Sequence, residues 1–98
     1  MIKIKDWVII HGTRSEGRPT VSRILWGIVK SDPSHYYEIG ESCVSLSIES
    51  VEAGIVKTEG DIYQLTGEGR EIQIPNFLIP DIRHMTKEKW SNFVKNIN

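Results

Sequence analysis

Ninety-eight residues, 39% hydrophobic and 26% charged, describe a single globular domain: enough chain for one core, too little for two, too apolar to stay disordered. A formal net charge of -1 lacks both the basic excess with which nucleic-acid modules neutralise phosphate and the strong acidity of a DNA mimic. Cys43 is the one cysteine and has no partner for an internal disulfide, no apolar run approaches the roughly 18 residues of a membrane span, and MIKIKDW lacks the apolar core and cleavage site of a signal peptide, so the expectation is a cytoplasmic protein without membrane association.

The first predicted strand covers Ile2 to Gly12, where Ile2 and Ile4 alternate with Lys3 and Lys5 and Trp7-Val8-Ile9-Ile10 is β-branched and aromatic. A polar, locally basic loop, TRSEGRPT, follows from Thr13 to Thr20. The second strand runs from Val21 to Lys30. Val21, Leu25 and Val29 mark one face and Ile24, Trp26 and Ile28 the other, the pattern of a strand buried on both sides. Gly27 in its middle predicts a bulge or bend. Ser31-Asp32-Pro33-Ser34 is turn chemistry, continued by His35-Tyr36-Tyr37-Glu38 to Gly40.

Gly40 to Leu65 predicts a β-meander. Val44, Leu46 and Ile48 alternate with serines and a glutamate as one strand with one buried face. Glu52-Ala53-Gly54 breaks it, Ile55 to Thr58 resumes, and Gly60-Asp61 has the residues of a two-residue hairpin turn with positive φ at the glycine. Ile72 and Ile74 predict a last short strand stopped by Pro75, and Phe77-Leu78-Ile79 between prolines predicts an extended crossing of the core. The C-terminus predicts a helix over about residues 86 to 97. Thr86 is its N-cap, Trp90, Phe93, Val94 and Ile97 form one apolar stripe, and Met85 can staple to Trp90. The fold expected is mainly β (α+β): five or six short antiparallel strands in a curved sheet or small barrel, with one C-terminal α-helix.

No set of residues spells a reaction. Gly12 and Gly17 have the spacing of a phosphate-binding P-loop, but Arg18-Pro19 and a strand follow where the mechanism needs Lys-Ser/Thr and a helix. Cys43 at the start of a strand reads as a small buried hydrophobe. His11, His35 and His84 are far apart, without metal-ligand spacing, and Asp32, Glu38, Glu41 and Asp61 are scattered over turns. No cofactor or metal is expected. Two groups suit partner contact. Arg14, Arg18 and Arg23 lie on or beside an exposed loop, where guanidinium groups clamp carboxylate or phosphate. His35, Tyr36, Tyr37 and Glu38 put adjacent tyrosines in a turn, and exposed tyrosine is enriched at protein interfaces.

The cadence IIHGT, ILWGIVKSDP and IGESCVSLSIESVEAGIVKTEGDIYQL, over about residues 7 to 66, resembles small bacterial and prophage-borne single-domain β proteins of the accessory, immunity or anti-defence kind. Its motifs are turn glycines and core positions, and it carries over no catalytic residue. The resemblance implies a setting of mobile elements and conflict between bacteria. With the missing catalytic constellation and the near-neutral charge, it sets the leading expectation: a non-catalytic inhibitor that blocks another protein, a toxin or a defence component. The alternative is a small-barrel nucleic-acid module with Arg14, Arg18 and Arg23 on phosphate and the tyrosines stacking on bases.

Overall fold

The computed structural model describes residues 1–13, 22–83 and 86–95, without the side chains at 22, 87, 94 and 95. Among these residues seven strands form one mixed sheet: β1 (Ile2–Thr13), β2 (Ser22–Ser31), β3 (Ser42–Val44), β4 (Ile48–Glu52), β5 (Ile55–Thr58), β6 (Ile62–Leu65) and β7 (Arg70–Pro75). Their order is β3-β2-β1-β6-β5-β4, with β7 also paired to β1. A 3-10 turn at Asn76–Leu78 leads into two short helices, α1 (Ile79–Arg83) and α2 (Lys87–Lys95).

The long strand β1 organises the sheet. One edge pairs antiparallel with β2. The other is shared, in parallel, by β6 along Ile2–Ile4 and β7 along Val8–Thr13. The expected antiparallel-only sheet of five or six strands is therefore corrected to a mixed sheet of seven. The chain leaves β6 and rejoins the same edge of β1 in the same direction, so both pairings must be parallel. β3 and β4 end the strand order without pairing to each other, so the sheet is open and not a closed barrel.

A bulge in β1 divides its side chains between two cores. Pairing with β2 slips between Lys5 and Val8, and Asp6 takes φ 50, a left-handed conformation that aspartate tolerates better than most residues. The slip reverses the face on which alternate side chains fall. Ile2, Ile4 and Ile9 thus share one core with Leu25, Val29, Cys43, Ile48, Val56 and Tyr63. Val8 and Ile10 join the second, with Ile24, Trp26, Ile72, Ile74, Ile79, Ile82 and Trp90 under the helices. The two-faced reading of β2 holds for every described position: Leu25 faces the first core, Ile24 and Trp26 the second. Val21 lies outside the described residues. The irregularity expected at Gly27 falls instead on β1 opposite it, where Ile4 fills the space a side chain at 27 would need.

The meander differs in three places. Residues 42 to 52 form two strands rather than one, because the Ser45 hydroxyl accepts the Leu25 N–H at 2.8 Å in place of a backbone carbonyl. The chain turns there, and Leu46, expected to face inward with Ile48, is half exposed. The two-residue turn with positive φ lies at Ala53-Gly54 (φ 52 and 77), where Glu52 pairs with Ile55. The reversal near Gly60-Asp61 is held by Thr58, whose hydroxyl accepts from the N–H groups of Gly60 and Asp61 at 3.1 and 3.0 Å. The segment Phe77-Leu78-Ile79 winds into the 3-10 turn and the start of α1 instead of crossing extended, which buries Ile79 and Ile82.

The Thr86 hydroxyl caps α2 by accepting the Lys89 N–H at 3.2 Å. Trp90 is buried beneath the helix, with ring contacts to Trp26 at 4.9 Å and Phe93 at 5.7 Å. The expected staple through Met85, the helix end at Ile97 and the side chain of Val94 lie outside the described residues. Among the described residues, no helix is long and apolar enough to cross a membrane.

Candidate functional site

The segment from Asp32 to Glu41 joins β2 to β3 and exposes more apolar surface than its turn composition requires. Tyr36 and Ile39 are each 80% exposed. The backbone beneath them is nonetheless tied down. The Asp32 carboxylate accepts the Ser34 N–H at 2.9 Å, the Ser34 hydroxyl at 2.7 Å and the Tyr37 N–H at 2.9 Å. The Glu41 carboxylate accepts the Glu38 N–H at 2.9 Å, and the Gly40 N–H donates to the Val29 carbonyl at 2.8 Å. His35 takes φ 60 at the apex. Tyr37 is half-buried against the first core and meets the ring of Tyr36 edge to face at 4.9 Å. One tyrosine therefore anchors the loop and the other is exposed, but the chain bends at residues 36–37, so the two rings touch instead of pointing to opposite sides as in an extended pair.

The electrostatics follow from these contacts. The Ser34 hydroxyl, then the Tyr37 N–H, hold the Asp32 carboxyl below the usual carboxylate range. Burial pushes the Tyr37 phenol up. Burial, aided by the charges of Glu41, Asp32 and Asp61, pushes the Cys43 thiol up to about 12, which keeps it neutral. Beside the loop lies a cavity of about 530 Å³ lined by Ile2, Asp32, Pro33, Gly60 and Ile62 among others. Ile62 is exposed, and Leu46 of the β3–β4 connection lies against Gly60 of the β5–β6 turn. The loop and the β5–β6 turn thus share this cavity, through Asp32, Pro33 and Ser34 on one side and Gly60, Asp61 and Ile62 on the other, and Glu38, Glu41, Glu59 and Asp61 are exposed. Large apolar side chains exposed together in one loop and flanked by carboxylates are a mark of an interaction site.

Of the residues singled out in the sequence, His35, Tyr36, Tyr37 and Glu38 are all in this loop. Arg23 is not near it. It sits at the start of β2, nine residues and about 30 Å of strand from Asp32. Arg14 and Arg18 lie outside the described residues. His11 contacts the Glu71 carboxylate at 2.7 Å on the β1–β7 pair, away from His35, and His84 lies outside the described residues. Among the described residues no three histidine, cysteine or carboxylate side chains gather as a metal site would require. Ile39 went unread in the sequence, although an isoleucine between Glu38 and Gly40 in a polar turn is itself a signal. Asp32 was legible as turn chemistry but not as the residue on which the loop hangs.

A second cleft, of about 520 Å³, lies where β1 bulges, between the β6–β7 connection and α2. All three tryptophans of the chain, Trp7, Trp26 and Trp90, line it. Trp7 donates its indole N–H to the Gly67 carbonyl at 3.3 Å and lies so close to Gly69 that a side chain there would overlap its ring. The break between β6 and β7 is what admits this indole. Trp90 is 1% exposed, and its indole N–H has no hydrogen-bond partner among the described residues.

No protein-family model, curated protein or solved structure matches the chain.

Proposed function

We propose that the chain is a non-catalytic binding protein that covers a surface of another protein, with the Asp32–Glu41 loop and the adjoining β5–β6 turn as its contact face. The observation that carries this is the combination at Tyr36 and Ile39: large apolar side chains four-fifths exposed on a backbone fixed by the carboxylates of Asp32 and Glu41. A loop already ordered loses little entropy on binding, so its apolar anchors contribute more of their burial to affinity. The surrounding carboxylates favour a partner whose surface is apolar at the centre and basic at the edge, and they speed encounter rather than set final affinity. The resemblance over residues 7 to 66 supports the narrower reading, an inhibitor of the immunity or anti-defence kind whose partner is a toxin or a defence component.

Photo-crosslinking in the native cell tests this reading. A photoreactive amino acid at position 36 is expected to trap one protein, and Ile39→Asp is expected to abolish the adduct while the same probe at exposed position 73 traps none. The trapped protein should lose activity when mixed with the purified chain. Equal labelling from both positions, or an adduct insensitive to Ile39→Asp, overturns the proposed face.

A further inference from the structure

We propose that the tryptophan cleft at the β1 bulge binds an organic cation, an ammonium group carrying apolar substituents. The cleft involves none of the residues of the Asp32–Glu41 face, and the inference stands apart from the protein-binding reading. Its volume of about 520 Å³ falls within the range of small-molecule sites. Trp7, packed in part against the first core, is the most accessible indole of the three, and Trp26 and Trp90 line the cleft from the buried side. Asp6 and Glu68 are both exposed and both line it, so its lining carries two carboxylates against the one guanidinium of Arg70. Arg70, the cation among the lining residues, already takes part in an interaction within the fold.

The chemistry of this wall selects the ligand. Indole rings offer a negative quadrupole face to a cation and an apolar surface to its substituents. An anion would meet Asp6 and Glu68 in the lining. A neutral apolar molecule would gain the indole contact but nothing from the carboxylates. A substituted ammonium group gains both, and its weak hydration makes it easier to move from water than a metal ion. The fold holds the wall in place without a ligand. The bulge at Asp6 sets Trp7 into the gap between β6 and β7, and Gly67 and Gly69 fix its ring there by the indole hydrogen bond and by close contact.

The test uses choline as the cation and 3,3-dimethylbutanol as its neutral isostere, titrated at constant ionic strength. Tryptophan fluorescence reports binding and the indole N–H resonances place it. Saturable binding of choline is expected, with the largest shift at Trp7 and a preference over the isostere of roughly tenfold, the factor that ~1.4 kcal/mol gives. Asp6→Asn retains a residue suited to positive φ, and Glu68→Gln is an exposed change, so both should fold. Each is expected to weaken choline several-fold and leave the isostere unchanged. Tyr36→Ala should alter neither titration, which keeps this result separate from that of the protein-binding face. Equal affinity for the two probes, indifference to both carboxylate variants, shifts centred away from Trp7, or no saturable response to choline overturns the proposal.

Discussion

Ile4 occupies the space that a side chain at position 27 would fill: a Cβ built on Gly27 falls inside van der Waals contact of the Ile4 Cγ2 methyl. Both residues are fully enclosed, so neither can yield toward solvent. Gly27→Ala is expected to destabilise the protein by about 1–3 kcal/mol, the usual cost of overpacking. Ile4→Leu moves the branch off Cβ and removes the offending methyl. In that background Gly27→Ala should cost clearly less, a coupling that two residues in contact must show. Urea midpoints of the four proteins measure it. Additive costs would mean that the close approach is not the cause.

Trp90 is the largest fully buried side chain, and its removal should show how firmly α2 docks. Trp90→Ala is expected to cost about 3–5 kcal/mol. Trp90→Phe should cost much less, because it keeps a ring against Trp26 and Phe93 and removes an indole N–H that has no partner among the described residues. A loss below about 1 kcal/mol for Trp90→Ala in urea melts would show that the helix contributes little to the fold.

Cys43 should behave as an inert core residue. With its thiol pushed up to about 12 by burial, almost no thiolate exists at neutral pH. Its modification by a thiol reagent at pH 8 is expected to be slow in the native protein and rapid in urea. The sign of the linkage follows. The native thiol holds its proton above the ordinary value of about 8.5, so its contribution to stability is complete below that value and declines as pH rises toward about 12. Native-state labelling as fast as in urea would contradict the burial.

Asp32 gives the loop an acid-sensitive hinge. Its carboxyl is held below the ordinary value by the Ser34 hydroxyl and the Tyr37 N–H. The stabilisation is therefore complete above about pH 3.9 and is lost as pH falls through the lower native value. Asp32→Ala should leave the core strands protected but raise amide exchange at Ser34 and Tyr37, the two backbone donors it satisfies, at neutral pH. Unchanged exchange at both would show that the carboxylate does not order the loop.

Single-stranded oligonucleotides should not bind at low salt. Arg23 and the loop tyrosines sit at opposite ends of β2, so phosphate contact and base stacking do not meet in one site. Micromolar binding with a steep salt dependence would replace the protein-binding reading with the nucleic-acid alternative.

Local pattern determined a good deal of this fold. The two faces of β2, the strand at Ile72 and Ile74, the capped helix beginning after Thr86 and the turn-rich loop carrying Tyr36 and Tyr37 all follow from periodicity and turn chemistry, which act over a few residues. Tertiary contact decided the rest. The parallel pairing of β6 and β7 with β1 joins residues about sixty positions apart, and nothing in either segment names its partner. The bulge at Asp6 could be located only once β2 lay beside it, since a slip of one residue is defined by the neighbouring strand. From that slip came the division of β1 between the two cores and the cleft that Trp7, Trp26 and Trp90 line together, from β1, β2 and α2. A strand pattern records which residues avoid water; it does not record against which other strand they do so.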